Sequence, residues 1–261
     1  MLSPPRYFPA AAVPCSCHFL PADQTRRVKV LITAGPTREP IDPVRFLTNR
    51  SSGKMGYALA GAVVHEGHSV LLVSGPTNLD VPEGVDFVPV ETAAEMFEVV
   101  ARYIGKMDAA VFAAAVADYT PSQPAQQKIK KTNDTITLEL VRTPDILGSA
   151  RSPFGFTGTL VGFAAETDNL EANARDKLTR KHCDLIIANN VAKPGIGFDS
   201  DLNEVLLVYP GYNEALPAAS KHDLAHHLAK IILDLHQRQH SLHPADAANP
   251  PPPTATSHPH D

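Results

Sequence analysis

The chain predicts an α/β protein built on a doubly wound, mainly parallel sheet with helices on both faces. Three observations carry that prediction. Short apolar runs such as Val28–Thr33 and Ala109–Ala114 have the length of buried strands rather than helices. Between them lie segments with apolar residues at helical spacing. The two kinds alternate along the chain, which implies right-handed crossovers and a parallel sheet.

The first strand is read at Val28–Thr33. A helix follows over Met55–Glu66, with Tyr57, Leu59, Ala60 and Val63 on its apolar face and Gly67 as its stop. Ser69–Val73 and Asp86–Val90 are the next two strands. Thr92 caps a helix from Ala93 to Lys106, in which Met96, Phe97, Val100 and Ile104 share a face. Ala109–Ala114 is a buried strand, small and apolar throughout. The second half continues more loosely. Thr135–Val141 alternates and reads as a strand outside the main sheet. Leu160–Ala164, Asp184–Ala188 and Glu204–Val208 are further strands, with a helix at Leu170–Lys181. A last helix runs from Lys221 to about His240, with Leu224, Leu228, Ile231, Ile232 and Leu235 on one face. The whole is a Rossmann-like domain over 28–240. Residues 1–27, with five prolines and Cys15 and Cys17, read as a leader or disordered segment, and 241–261, with six prolines, as a solvated tail.

Composition narrows the class. Of 261 residues, 43% are hydrophobic and 20% charged, as in globular domains, and no run of 18 apolar residues could span a membrane. A net charge of -5 argues against a general nucleic-acid binder. Three cysteines are too few for a disulfide framework, which places the chain in a reducing cytoplasm; Cys183 reads as a core residue beside a strand. Eight of the twelve histidines follow residue 221, on a polar helix face or in the tail, where adventitious metal binding is the simpler expectation.

In a doubly wound sheet, ligands bind beyond the carboxyl ends of the strands where strand order reverses. Two clusters follow strand ends. The first closes with Asn49-Arg50-Ser51-Ser52-Gly53-Lys54-Met55-Gly56, a small glycine-bearing loop at a helix start. Backbone N–H groups there can converge on phosphate oxygens, with Gly53 and Gly56 removing Cβ atoms and Ser51, Ser52 and Lys54 adding donors. Ordinary capping by Ser51 or Ser52 explains the loop equally well. It is neither a Walker A loop, since Met55 follows Lys54, nor a G-x-G-x-x-G turn. Asn49 can donate to an oxyanion and accept from an amine without titrating, or simply form an Asx-turn. The second cluster, Ala113 to Tyr119, carries Asp118, suited to a metal–phosphate complex or a turn cap. Lys128-Ile129-Lys130-Lys131 follows as a flap of three ammonium groups, or a solvated face. Lys177 and Lys181, four apart on one helix face, repel unless they share an anion, with surface pairing to Glu171 and Asp176 as the alternative.

Taken together these stretches resemble the phosphopantothenoylcysteine synthetase family. The motifs are Thr33 to Asp42 through Gly56, Ala113 to Tyr119, Lys128 to Lys131, Thr143-Pro144-Asp145-Ile146-Leu147, and Gly162 to Thr167, in order over about residues 28 to 239. The resemblance implies a bacterial-type ligase of coenzyme A biosynthesis. CTP activates the carboxylate of 4'-phosphopantothenate as an acyl-cytidylate with release of pyrophosphate, and the amine of L-cysteine then displaces CMP. It assigns Asn49 to the acyl-cytidylate intermediate and Lys128 to the active-site flap. Phe112, Ala113, Ala114, Asp118, Lys128, Pro144, Asp145, Ile146, Leu147, Phe163, Lys177 and Lys181 take nucleotide-binding positions. It implies Mg2+, with Asp118 as a metal ligand, and a homodimer to which Thr135–Val141 contributes an arm. Because only 27 residues precede Val28, the expectation is no flavin, with any phosphopantothenoylcysteine decarboxylase on a separate chain or lost from a truncated gene model. A non-catalytic nucleotide-binding subunit and a nicotinamide-dependent oxidoreductase are the competing readings; the missing G-x-G-x-x-G weighs against the second.

Overall fold

A computed structural model describes residues 27–131, 135–190 and 202–241. The leader with Cys15 and Cys17 and the proline-rich tail beyond Ser241 lie outside the described residues.

Six parallel strands form the body of the sheet: β1 (Lys29–Ala34), β4 (Ser69–Ser74), β5 (Asp86–Pro89), β6 (Ala109–Phe112), β9 (Thr159–Glu166) and β10 (Leu185–Asn190). Two antiparallel strands, β11 (Leu202–Tyr209) and β12 (Tyr212–Ser220), extend it beyond β10. The order across the sheet is β12-β11-β10-β9-β6-β1-β4-β5. Among the parallel strands the chain starts in the middle, runs outward to β5, then returns to β6 and runs the other way. The reversal falls between β1 and β6, the place where an α/β sheet opens a crevice.

The central strands β1, β6, β9 and β10 are buried on both faces because helices cover both. Val30, Ile32 and Ala34 of β1 point into a core shared with α1 (Lys54–His65) and α5 (Lys221–Ser241), while Leu31 points into a second core beneath α2 (Ala93–Tyr103), α3 (Ile146–Ser149) and α4 (Leu170–Lys181). This alternation explains why β1 reads as a continuous apolar run rather than as an apolar–polar pattern. Fully buried Leu31, Ile32, Leu59, Leu72 and Ile187 each contribute about 1.5–3 kcal/mol of transfer free energy.

Local sequence sets the helix ends. Thr92 and Glu95 form a reciprocal capping box at the start of α2. Gly67, at φ +87°, stops α1, as the sequence predicts. The helix read as Ala93–Lys106 is α-helical only to Tyr103, and its last turn tightens to 3-10 geometry over Ile104–Lys106.

Other expectations are corrected. Thr135–Val141 is not a strand along its length; only β8 (Leu140–Arg142) forms, paired antiparallel with the short β7 (Tyr119–Pro121). Ile136, Leu140 and Val141 are exposed, so no core face stabilises a longer strand. A second small hairpin pairs β2 (Arg38–Pro40) with β3 (Phe46–Thr48). His182 closes α4 in a left-handed conformation at φ +52°. Cys183 is buried, and that burial pushes its thiol up to about 12.

Candidate functional site

A cleft of about 1110 Å3 opens at the switch point, above the carboxyl ends of β1 and β6. Its floor is laid by backbone. Beyond their paired ends the two strands keep contact: Ala115 N–H donates to Gly35 O at 2.9 Å, and Thr37 N–H to Ala115 O at 3.3 Å. Thr37 also accepts from the Ala117 N–H through Oγ1 at 3.0 Å. These bonds hold the Ala113–Ala117 segment open along one wall.

Asn49 crosses to that wall. Its Nδ2 donates to Ala115 O at 2.9 Å and to Val116 O at 3.2 Å. The side chain is therefore no local Asx-turn: it joins the loop after β1 to the loop after β6. With the NH2 group held between two carbonyls, the amide offers its oxygen, an acceptor, to a ligand. Oxyanion donation by Asn49 would require breaking one of these bonds.

The glycine loop leads into α1. Gly53 occupies the N-cap at φ +78°, and no side chain caps the helix. Ser51 Oγ instead accepts from the Gly53 N–H at 3.3 Å, one step before the helix proper. The N-terminal end of α1, with its positive dipole end, thus faces the cleft. Gly56 has a different role from the one expected. A Cβ there would come within 2.5 Å of Ala34 Cβ, so this glycine lets the helix lie close on β1. Gly53 is likewise constrained, because a Cβ would meet Thr77 Cγ2 at 2.8 Å and Gly35 Cα at 3.2 Å. Both glycines serve packing before they serve any ligand.

The opposite wall carries the charges. Asp145 caps α3, accepting from the Gly148 N–H at 2.9 Å, and pairs with Lys181. Burial pushes the Asp145 carboxyl up, but the Lys181 ammonium and the Gly148 N–H outweigh it and the net shift is downward. Lys177 Nζ donates to Phe163 O at 2.7 Å, and burial lowers its pKa. Each lysine thus has a partner of its own in the fold, which relieves their mutual repulsion and leaves further ammonium N–H groups to donate. Glu171 and Asp176 do not pair with them either; their ion pairs are with Arg175 at 3.9 Å and Arg180 at 3.2 Å.

Ser51, Ser52, Gly53, Lys54, Met55 and Gly56 line this cleft together with Asn49, as do Phe112, Ala113, Ala114 and Asp118. Pro144, Asp145, Ile146, Leu147, Phe163, Lys177 and Lys181 complete the set. Lys128 is the exception: it is exposed on the 122–131 loop and is not part of the lining.

What fixes that loop is Asp42, which the sequence reading quoted but gave no role. Its buried carboxylate accepts from the N–H groups of Val44 and Arg45 through Oδ1, each at 2.9 Å, and from Ile129 N–H through Oδ2 at 3.1 Å. The Arg45 guanidinium binds the same carboxylate at 2.5 Å and also donates to Ile129 O at 3.1 Å. Arg45 is the main reason the Asp42 carboxyl lies well below the usual carboxylate range, with the backbone N–H groups adding to it against desolvation. Asn189, Asn203 and Lys221 are further lining residues that the sequence reading missed. The available signal was Asn189-Asn190, polar residues ending the apolar strand β10.

The fold and site define the class: a doubly wound α/β protein with a polar cleft at the β1/β6 switch point, floored by backbone and open to a helix N-terminus. Residues 25–235 match the DNA/pantothenate metabolism flavoprotein C-terminal domain, and the chain belongs to that family. It is 47% identical over 208 residues to the coenzyme A biosynthesis bifunctional protein CoaBC of Vibrio parahaemolyticus, covering 79% of this chain and 52% of the relative. To the protein of the same description from Bacillus subtilis it is 48% identical over 211 residues, covering 79% and 51%. The chain thus spans about half the length of these relatives. The crystal structure of the C-terminal domain of a coenzyme A biosynthesis bifunctional protein CoaBC matches with a TM-score of 0.69 and 40% identity, covering 81% of this chain and 98% of that one. A Cab2 variant in complex with phosphopantothenate-cysteine shares the fold at a TM-score of 0.65 and 21% identity, covering 83% and 89%.

Proposed function

We propose that this domain is a phosphopantothenate–cysteine ligase that uses CTP. The observation that carries the reading is the meeting of Asn49, the open N-terminus of α1 and the cationic α4 wall in one switch-point cleft. The identity to CoaBC proteins supports it.

In this reading a carboxylate oxygen of 4'-phosphopantothenate attacks the α-phosphorus of CTP, and the bond to pyrophosphate breaks. The neutral amine nitrogen of L-cysteine then attacks the acyl carbon, CMP leaves with the bonding pair, and the nitrogen gives up one proton and keeps the other as the amide N–H. Phosphate charge settles against the α1 N-terminus and the Lys177, Arg180 and Lys181 side chains. Asn49, fixed through its nitrogen, accepts a hydrogen bond from the incoming amine through Oδ1 and so orients its lone pair. Lys128 reaches the site only as the 122–131 loop closes. Mg2+ suits the site as a nucleotide-borne ion: it favours one or two carboxylates plus phosphate oxygens, and exposed Asp118 at the rim supplies one carboxylate. When bound, it would screen the triphosphate charge. Both steps are redox-neutral, so the reading calls for no flavin. It takes the enzyme to be a cytoplasmic homodimer; no described helix is long and apolar enough to cross a membrane.

The test is pyrophosphate release with 4'-phosphopantothenate, Mg2+ and either CTP or ATP, with and without L-cysteine. Release with CTP, and amide only on adding cysteine, is expected. Release with ATP alone would overturn the nucleotide assignment. A folded protein releasing pyrophosphate with neither nucleotide leaves a non-catalytic binding subunit as the better account.

A further inference from the structure

Away from the cleft, the C-terminal end of α1 meets the first turns of α5. The two helices share one core through Ala62 and Val63 on one side and Leu224, Ala225 and Leu228 on the other. On the solvent side of this seam the chain gathers nitrogen and oxygen donors. Donor atoms of His65, Glu66 and His226 all lie within 4.8 Å of one another. The His65 and His226 rings stand edge to face with centroids 5.2 Å apart, and His222, one turn before His226, brings its ring centroid to 4.8 Å from that of His226. These histidines border a cavity of about 440 Å3 that also takes in Asp80 and the side of α1 at Tyr57 and Gly61.

Two other histidines in the described residues have structural partners. His68 Nδ1 accepts from the Val28 N–H at 3.1 Å, and His236 bonds Thr159. The 65/222/226 group has no such structural employment, and core packing does not require imidazoles on an exposed seam.

We propose that His65, Glu66 and His226 form a binding site for a divalent transition metal of the Zn2+, Ni2+ or Co2+ class, with His222 as a fourth donor. Two or three neutral imidazoles with one carboxylate and no thiolate is the donor set these borderline ions take. At zinc–nitrogen distances of 2.0–2.1 Å, tetrahedral ligand atoms sit about 3.3 Å apart. The donors must therefore close by about 1.5 Å, which rotation of the exposed His65 and the Glu66 side chain permits. Lys230 Nζ, 3.8 Å from Glu66 Oε1, is the cation that the metal displaces. A bound ion would tie the end of α1 to α5, two helices remote in sequence. The sequence expectation of adventitious binding covered His222 and His226 as well as the tail histidines, and the test separates the two groups.

The experiment uses the full chain after EDTA treatment and dialysis. Co2+ is titrated while visible absorption and thermal unfolding are followed. One Co2+ per chain with a ligand-field spectrum of tetrahedral type is expected. At metal a hundredfold above Kd, Tm should rise by about 5–10 °C. His65→Gln and His226→Gln should each abolish spectrum and shift while leaving the metal-free Tm within about 2 °C of the parent. A variant with His243, His258 and His260 all changed to Gln should keep both. Stoichiometric binding that survives in the double variant H65Q/H226Q, or that vanishes with the tail histidines, overturns the proposal, as does the absence of a one-to-one site. No ligase assay enters, so the result stands apart from the catalytic reading.

Discussion

The glycine loop and the lysine loop both read from sequence as ligand-binding segments, yet the structure builds them in opposite ways. Residues 49–56 are fused to the core: Asn49 is bonded across the switch point, Gly53 rests on Gly35 and Thr77, and Gly56 lies on Ala34. The 122–131 loop touches the body through few polar contacts. Asp42 and Arg45 grip Ile129, and Ala125 N–H donates to Ile41 O at 2.9 Å. One segment is a fixed edge of the cleft, and the other is a strap held at a charged node. A motif rich in donors can therefore owe its glycines to packing, while the placement of the lysine loop hangs on a residue outside that motif.

The largest effect should come from breaking the fixed edge at its polar centre. Asn49→Ala removes the link to Ala115 and Val116 together with the amide oxygen. Amide formation should fall about 10²–10³-fold, as when a preorganised polar group is lost from an active site, with nucleotide-dependent pyrophosphate release less affected. Equal loss in both half-reactions, measured by single turnover, would assign Asn49 to nucleotide activation instead. Next comes Gly56→Ala. In an exposed helix this change gains up to about 1 kcal/mol, but here the new methyl meets Ala34, and a net loss of about 1–3 kcal/mol in urea unfolding is expected. The smallest effect belongs to the strap. Asp42→Asn should lower kcat/KM about tenfold by releasing the lysine loop, together with the stability that the buried pair with Arg45 contributes. Because the folded carboxyl titrates below its unfolded value, the latch contributes fully above the unfolded pKa of about 3.9 and weakens as pH falls below it. Protection of the Ile129 amide in hydrogen exchange should accordingly persist from pH 7 to pH 5 in the parent and be lost throughout that range in Asp42→Asn. Equal exchange in both proteins would show that Ala125 alone suffices to hold the loop.

Much of the parallel sheet was legible because burial on both faces writes itself as short apolar runs. The Thr92 cap and the Gly67 stop were legible because capping is local. The third-dimensional parts were not. Strand β12, Tyr212–Ser220, mixes polar residues with Pro217 and is exposed along much of its length, so no pattern of two marks it. The three-residue strands β2, β3 and β7 fall below any periodic signal. Most of the cleft lining was named through the family resemblance, and the Asn49–Gly56 and Ala113–Asp118 stretches also through their places after strand ends. Asp42 escaped because its meaning depends on Ile129, 87 residues away, and Lys128 was placed by the charge run and the resemblance when its position depends on that same contact.

The two prolines at the borders of the sheet decide where β-structure stops. Strand β5 is only four residues long and ends at Pro89, while β12 carries Pro217 beside a register slip between Asn203 and Val205. A proline has no N–H to offer a neighbouring strand, and a slipped register spoils the ladder an incoming strand would copy. The edge strands β5 and β12 would otherwise present unpaired N–H and C=O groups to a strand of another copy. Among the described residues, each margin of the sheet therefore offers an incoming strand an interrupted ladder.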